Sequence, residues 1–334
     1  NDTIINQISV AYSQTDAEQA DVYSLLGLYS PSRNTYDLVL PNNALARPYS
    51  QDFGAPFNND AANIGAVTYG NETTISDVRV DIGDLSVFLA ESAVPAVEVS
   101  GSATLTVEDN SLILALDVLN NSDVTLETAS ILVGNRALSI GEIAPNERTT
   151  LSLPMGTASS TASSPVFGGS FGGNAPLSAN AETILGSFDY YNDRVLYPRW
   201  QLLQALESSN FGGPGTFEIP QETAVLIAWS NEPQINANLG EDSFDSKSTT
   251  LYLIEIPLNQ NLVSGRNITI PISLLNWEPL ANNNVYNPTI QDLYLNGGWV
   301  EFSYTPWPEL QGMDVTRLGF SLTPGQVLRQ SLYE

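Results

Sequence analysis

The chain is made of short apolar runs separated by turn-forming residues, and this pattern constrains its fold more than any other feature. Residues 98–155 show it best: the runs Ser102–Val107 and Ser111–Leu119 flank Glu108-Asp109-Asn110, which is typical of a hairpin turn. The second run places its apolar residues on one face, at Leu112, Leu114, Leu116 and Val118. Strands of this kind, with turns about every eight to twelve residues, are typical of a β-sandwich.

Residues 1–97 contain further runs that we expect to be strands. They are Ile4–Tyr12, Val22–Tyr29, Tyr36–Leu40, Val78–Ile82 and Leu85–Leu89. Pro41–Tyr69 is rich in Asn, Pro and Gly, which predicts a long loop. Residues 1–155 therefore read as an N-terminal β domain or domains, with an Ig-like sandwich at about residues 98–155.

Gly156–Asn180 separates this part of the chain from the rest. It consists mostly of Gly, Ser, Ala, Thr and Pro, and it carries no charge. Because such a segment has little apolar surface to bury, it behaves as a flexible tether or a long surface loop. We therefore predict a linker at residues 156–180 and a second domain at residues 181–334.

The second domain begins with the one convincing helix in the sequence. Asp189 or Asp193 is placed to cap it, and its apolar face comprises Trp200, Leu203 and Leu206. The runs that follow read as strands: Ala224–Trp229, Thr249–Ile256, Asn267–Ile272, Gln291–Leu295, Trp299–Tyr304, Val315–Leu322 and Gln326–Leu332. Asn296-Gly297-Gly298 predicts a hairpin turn. The predicted fold is mostly β: tandem β-sandwich domains, Ig/fibronectin-like or jelly-roll-like, with one connecting α-helix.

The acidic composition limits the partners of this chain. Asp and Glu number 37 against 11 Lys and Arg, so the net charge is −26. Nucleic acid phosphates and anionic lipid heads bind basic surfaces, so we expect neither as a partner. No apolar run approaches the roughly 20 residues of a membrane span, so we expect membrane attachment only through an anchor outside this chain.

The residue types that the chain lacks narrow its chemistry further. It contains no Cys and no His, and Lys247 is its only lysine. Thiol nucleophiles, histidine triads and metal sites built from Cys or His are therefore excluded. Carboxylate chemistry is left, either as a glycosidase-type acid pair or as calcium held by oxygen atoms. We expect no enzyme activity and no cofactor, with calcium as the one candidate.

Three segments carry a resemblance to a known group of proteins. They are Val22–Leu40, Val118–Leu153 and Ala224–Pro257. Their strand and turn residues resemble the extracytoplasmic regions of uncharacterised membrane-anchored proteins of Chloroflexota-type bacteria. The resemblance implies a β-sandwich, a helical connection and a second β-domain before a membrane anchor, and it implies no catalytic residues. With the cysteine-free composition, it predicts an extracytoplasmic location, at the cell surface or secreted.

Two kinds of polar site are candidates. Glu241, Asp242 and Asp245 supply three carboxylates within five residues and are the candidate calcium ligands. Because their spacing lacks the order of an EF-hand loop, a solvated loop tip is the competing interpretation. N-x-[ST] sequons occur at Asn1, Asn71, Asn120 and Asn267, and they predict glycosylation where the source organism modifies exported proteins.

Aromatic residues are concentrated near the C-terminus. They are Trp277, Tyr286, Tyr294, Trp299, Tyr304 and Trp307. Exposed rings on a β-sandwich can stack on sugars, although packing in a core is the commoner role of such residues. Trp307, between Pro306 and Pro308, is the best candidate for an exposed sugar-binding ring.

These observations predict a non-catalytic interaction or structural module at the cell surface, whose partner is a protein or a glycan. A carbohydrate-binding module that uses the C-terminal aromatics is the alternative. A carboxylate-based glycoside hydrolase is a third hypothesis, because any chain with so many acids contains suitably spaced pairs. Self-assembly through unpaired edge strands is a variant of the first hypothesis.

Overall fold

The computed structural model describes residues 3–41, 44–49, 64–155, 176–187, 189–207, 223–240, 242–262, 268–271, 274–286, 294–306 and 314. The N-terminal strands are β1 (Ile4–Gln14), β2 (Gln19–Tyr29), β3 (Asn34–Leu40), β4 (Leu45–Pro48), β5 (Ala66–Tyr69), β6 (Thr73–Val80) and β7 (Leu85–Pro95). They are followed by β8 (Val99–Glu108), β9 (Ser111–Asn120), β10 (Leu126–Val133), β11 (Arg136–Ile143) and β12 (Arg148–Pro154).

Three helices come next: α1 (Pro176–Ala179), α2 (Ala181–Leu185) and α3 (Leu196–Glu207). The remaining strands are β13 (Thr223–Ser230), β14 (Asp245–Asn261), β15 (Leu275–Tyr286) and β16 (Tyr294–Pro306). Strands predominate over helices, so the prediction of a mostly β chain is confirmed.

The strands form several sheets. The main sheet has the order β11-β10-β13-β14-β1-β2-β7-β4. The long strand β14 also pairs with β8 through its last residues, Leu258–Asn261, and so begins a side sheet of order β14-β8-β9-β12. A small sheet has the order β3-β6-β5, and β15 and β16 form a two-stranded hairpin.

The main sheet crosses the predicted boundary at residues 156–180. β1 lies parallel to β14 along its whole length, and β10 lies antiparallel to β13. Strands before and after this segment are therefore hydrogen-bonded neighbours, which differs from the expected division into two separate β domains. Periodicity in the sequence marks each strand but does not encode which distant strand it pairs with. The sequence alone therefore could not show that strands from the two predicted domains share a sheet.

Two apolar cores lie on opposite faces of the main sheet. Core 1 combines residues of the main sheet with residues of the side and small sheets, for example Phe88, Leu114 and Ile75. Core 2 joins the other face of the main sheet to the helices, and includes Trp229 and Leu203. In β13, alternate residues serve the two cores, because successive side chains of a strand point to opposite faces.

Helix α3 follows the prediction closely. The side chain of Asp193 accepts hydrogen bonds from the backbone N–H groups of Leu196, at 3.0 Å, and Val195, at 2.7 Å. These bonds lower the pKa of the Asp193 carboxyl, because they stabilise its ionised form. Leu203 and Leu206 are buried in core 2, and Trp200 packs against it.

The hairpin between β8 and β9 also confirms the sequence analysis. Asp109 and Asn110 both have positive φ angles, 48° and 65°, as the favoured two-residue hairpin turns require. The predicted loop Pro41–Tyr69 is only partly correct, because it contains β4 and β5. Neither of these four-residue strands is long enough to show alternation.

The predicted hairpin turn at Asn296-Gly297-Gly298 is wrong. These residues lie inside β16, which pairs with β15, a strand that the sequence analysis missed. Leu295 pairs with Val285 and Trp299 with Asn283, so the extra residues form a bulge in β16. Glycine suits a bulge as well as a turn, which explains the error. The predicted strands Val315–Leu322 and Gln326–Leu332 lie outside the described residues.

A strained residue marks an irregularity in β10. Thr128 has a φ of 44°, in the left-handed region that β-branched residues avoid, and the pairing of β10 shifts register around it. Its hydroxyl oxygen is buried without a hydrogen-bond partner. The surrounding sheet therefore holds Thr128 in a conformation that its side chain disfavours.

Replacing Thr128 with glycine is expected to relieve this strain. We expect T128G to exceed T128A in free energy of unfolding by about 1 kcal/mol, because alanine removes the same hydroxyl but keeps a Cβ at positive φ. Equilibrium unfolding in urea measures the difference. Equal stabilities of the two variants would show that the backbone relaxes and that Thr128 stores no strain.

Candidate functional site

The structure describes two of the three predicted calcium ligands, Asp242 and Asp245. Asp242 and Asp245 are exposed, and Asp245 begins β14, where its N–H donates to the carbonyl oxygen of Thr3 at 2.9 Å. Glu241 lies outside the described residues. In the part of the chain that the structure describes, no three carboxylates come close enough to share an ion.

The sequons have different surroundings. Asn71 is exposed in the turn between β5 and β6, where its amide is accessible. Asn120 is fully buried, and its amide nitrogen donates to the carbonyl oxygens of Val124, Ile143 and Ala144. This burial contradicts the predicted glycosylation of Asn120, because its nitrogen is already engaged in the core. Asn1 and Asn267 lie outside the described residues.

The aromatic site cannot be built from the described residues alone. Trp307 lies outside them, while Trp299 on β16 is 51% exposed. Carbohydrate binding therefore stays a prediction.

A depression of about 410 Å³ lies where the β7–β8 connection meets the β9–β10 turn. Its lining residues include Glu98, Asp123 and Tyr252. Glu98 and Asp123 are both exposed to solvent. Catalytic acid pairs instead rely on burial to separate the pKa values of the two carboxyls. The depression resembles a surface groove more than a hydrolase cleft.

The outer edge of the side sheet is the more distinctive feature. β12 is a seven-residue strand that pairs with β9 on one side, and no described residue pairs with its other side. All of its residues are exposed or half-buried, in strict alternation. An uncovered strand edge presents rows of N–H and C=O groups that can pair with another chain.

The pairing of β12 with β9 shows which backbone groups point outward. The N–H of Met155 donates to the carbonyl oxygen of Leu112, and the N–H of Asn120 donates to that of Glu147. Hydrogen-bonded and non-hydrogen-bonded pairs alternate in an antiparallel ladder. The backbone groups of Thr149, Leu151 and Leu153 therefore face β9, whereas those at even-numbered positions of β12 face outward. The outward N–H groups belong to Arg148, Thr150 and Ser152, since Pro154 has none.

Half-buried aliphatic side chains border this edge on its inner side. Leu151 and Leu153 are only half-buried, and Leu153 packs against core 1. β11, which contacts β12, contributes Leu138 and Ile140, which are also half-buried against core 1. A strand added to β12 would place alternate side chains beside Leu151 and Leu153, as in strand-addition complexes.

The outer edges of β11, β4 and β3 are protected, unlike that of β12. In β11, the N–H of Ala137 donates to the side chain of Asn180 at 3.0 Å, and that side chain in turn donates to the carbonyl oxygen of Asn135. β4 has four residues and ends at Pro48, which cannot donate. β3 is bridged to Asn238 at Val39. Proteins commonly protect edges by such means.

The strand β12 itself carries little charge, in contrast to the chain as a whole. The strand contains no acidic residue, and its one charge, Arg148, forms an ion pair with Asp117 of β9. The hydrogen bond from Arg148 lowers the pKa of the Asp117 carboxyl. An extended segment could approach this edge without meeting an uncompensated carboxylate on β12.

The sequence analysis identified the strand at Thr149–Leu153 but not its edge position. The only local signal of this edge is that apolar and uncharged polar residues alternate along β12. Strands that are paired on both sides show the same alternation, so it does not identify an edge strand. The partner strands are fixed by tertiary structure, so the open edge became visible only in the sheet order.

Comparisons with known proteins add a partial family match. Residues 100–259, just under half of the chain, match a domain of unknown function (DUF8725). This region includes β12, α3 and most of β14. No curated protein matches the chain.

Several solved structures show a weak likeness. The yeast delta-COP-I mu-homology domain complexed with Dsl1 WxWxV peptide has 9% identity and a TM-score of 0.35, covering 76% of this chain and 98% of that one. The yeast delta-COP-I mu-homology domain has 7% identity and a TM-score of 0.36, with the same coverage. The Danio rerio Fcho1 mu homology domain with bound Eps15 peptide has 8% identity and a TM-score of 0.33, covering 76% and 96%. We draw no functional conclusion from likenesses at this level.

Among the described helices, none is long and apolar enough to cross a bilayer.

Proposed function

We propose that this chain is a non-catalytic protein-interaction module that acts outside the cytoplasm, and that it binds its partner at the outer edge of β12. The observation that carries the proposal is the open edge of Arg148–Pro154, with its outward N–H groups beside half-buried aliphatic side chains. Backbone hydrogen bonds supply affinity in such complexes, and pockets for alternate side chains supply specificity.

The finer fold assignment belongs to the same proposal. Core 1 lies between the main sheet and the side sheet, which supports a β-sandwich arrangement that presents β12 at one side. A rigid scaffold of this kind suits binding, because the edge is held in place by β9 and not by a loop. The extracytoplasmic setting is supported by the cysteine-free, lysine-poor composition.

Replacing Thr150 with proline is expected to abolish partner binding. Proline removes an outward N–H and places ring atoms on the edge, while the hydrogen bonds of β12 to β9 come from the neighbouring residues. T150V is the matched control, because valine keeps the N–H and the side-chain shape of threonine. Affinity capture from the envelope fraction of the source organism, with quantitative mass spectrometry, compares the two variants with the wild type.

A photo-crosslinking residue at Ser152 provides an independent readout. We expect it to capture the same protein that T150P loses, whereas the same residue at exposed Asp84, in the β6–β7 turn, does not. Near-native melting temperatures of all variants establish that they are folded. Equal capture by T150P and T150V would exclude β12 as the binding edge.

A further inference from the structure

We propose that the partner of the β12 edge is a second copy of this chain, with the two β12 strands antiparallel across a two-fold axis at Leu151. This inference rests on the proposed function, since it names the partner of the same site. Symmetric pairing of one strand with its own copy is the simplest closed interface that an open edge can make.

The outward backbone groups of β12 complement themselves in this register. Thr150 lies opposite Ser152 of the second copy, and each exchanges hydrogen bonds through its N–H and C=O groups. Arg148 lies opposite Pro154 of the second copy, and its N–H donates to the proline carbonyl. The missing N–H of Pro154 falls at the end of the ladder, so every outward N–H of both strands finds an acceptor.

Side chains and the missing N–H of Pro154 together select this register over its two neighbours. Centring the pair on Leu151 places Leu151 against its own copy and Leu153 against Thr149. Centring it on Thr150 instead would satisfy the same donors but would place Leu153 against Glu147. Centring it on Ser152 would pair Leu151 with Leu153 but would place Thr150 against Pro154 and Arg148 beyond the end of β12, so fewer hydrogen bonds would form within the strand. Cross-strand pairs of apolar side chains are stabilising, whereas an apolar side chain against a carboxylate is not.

The small number of charges on β12 makes this edge suitable for self-association, although the chain as a whole is acidic. No like charges face each other across the paired strands, because the one charged residue, Arg148, lies opposite a proline. The remaining repulsion acts between two bodies of net charge −26 and over longer distances. Salt screens such repulsion, so the dimer should tighten as ionic strength rises.

Single-cysteine variants of the full chain test the register directly, because the sequence contains no cysteine of its own. Leu151 and its copy would form a non-hydrogen-bonded pair with Cα atoms about 4.5 Å apart, within the range of a disulfide. L151C should therefore give a covalent dimer under mild oxidation. In L153C the two cysteines would lie four residues apart along the ladder, about 13 Å, so this matched control should form no disulfide-linked dimer.

Sedimentation velocity completes the test. We expect the wild type and T150V to dimerise more tightly at 500 mM than at 50 mM NaCl, and T150P to be monomeric at both. A wild type that is monomeric at all concentrations, or L153C that crosslinks as readily as L151C, would overturn the proposed dimer. If T150P still loses a different protein in the capture experiment, the interaction module stands and only the second copy is excluded. If T150P changes neither measurement, both proposals fail.

Discussion

Replacing Arg199 with alanine is expected to lower the free energy of unfolding by about 3 kcal/mol. Its side chain is 5% exposed and binds three partners: Nη2 donates to Glu127 at 3.0 Å and Asn231 at 3.1 Å, and Nε donates to Thr249 at 3.1 Å. The guanidinium also lies over the ring of Trp229, 5.0 Å from its centroid. This one residue ties α3 to β10, to the segment after β13 and to β14.

We expect the loss of free energy of unfolding to lie at the lower end of the range that is usual when a buried ion pair is broken. Glu127 keeps 35% of its side chain exposed, so water can solvate part of its carboxylate when Arg199 is removed. R33A is the matched control, because Arg33 pairs with Asp81 at the surface, where the two side chains are 65% and 48% exposed. Urea unfolding should detect a loss in R199A and a much smaller one in R33A. Similar losses would mean that the buried network does not hold α3 in place.

The free energy of unfolding is expected to fall by up to about 3 kcal/mol between pH 4.5 and pH 7 because of Glu207 alone. Its carboxyl lies at the end of α3 and accepts hydrogen bonds from the backbone N–H groups of Leu177 and Ser178 in α1, and from the Ser178 hydroxyl. Burial raises the pKa of Glu207 from 4.5 to about 7, against the opposing effect of these hydrogen bonds.

The fall of the free energy of unfolding with rising pH follows from proton linkage. At pH 4.5 to 7 the unfolded chain has released the Glu207 proton while the folded chain retains it, so unfolding releases a proton and is favoured by rising pH. The stabilisation is complete below the unfolded pKa and is lost as the pH passes the folded pKa. The other titratable carboxyl on the neighbouring helix is Glu182, whose pKa is also raised by burial.

The variant E207Q isolates this contribution, because the other acids of the chain titrate in both proteins. Urea unfolding of wild type and E207Q at pH 5 and pH 8 should show a steeper loss of stability in the wild type. Parallel pH profiles would contradict a raised pKa at Glu207.

The fold was predictable where a local pattern dictates a local structure. Leu112, Leu114, Leu116 and Val118 alternate with less buried residues in β9, and the structure buries all of them in core 1. Asp193 caps α3, and Asp109 with Asn110 forms a turn. The hairpin turn predicted at Asn296-Gly297-Gly298 is wrong because glycine is common in both turns and bulges.

The candidate site was less predictable, because its properties depend on partners that are distant in the chain. The three-residue sequon that begins at Asn120 predicted glycosylation, yet hydrogen bonds to the carbonyl oxygens of Ile143 and Ala144 hold that side chain in the core. The network of Arg199 likewise gathers Glu127, Asn231 and Thr249 from separate elements, and no spacing in the sequence connects them.

The sequence by itself determined that the chain forms β-strands, because alternation of apolar side chains follows from the two-residue period of a strand. It also limited the chemistry, because a chain without His or Cys lacks their reactive groups. Only the tertiary structure decided that β14 lies between β1 and β13, and that β12 is left at an edge among the described strands. Backbone hydrogen bonds are the same for every residue pair, so the choice among possible strand partners rests on the packing of both faces at once.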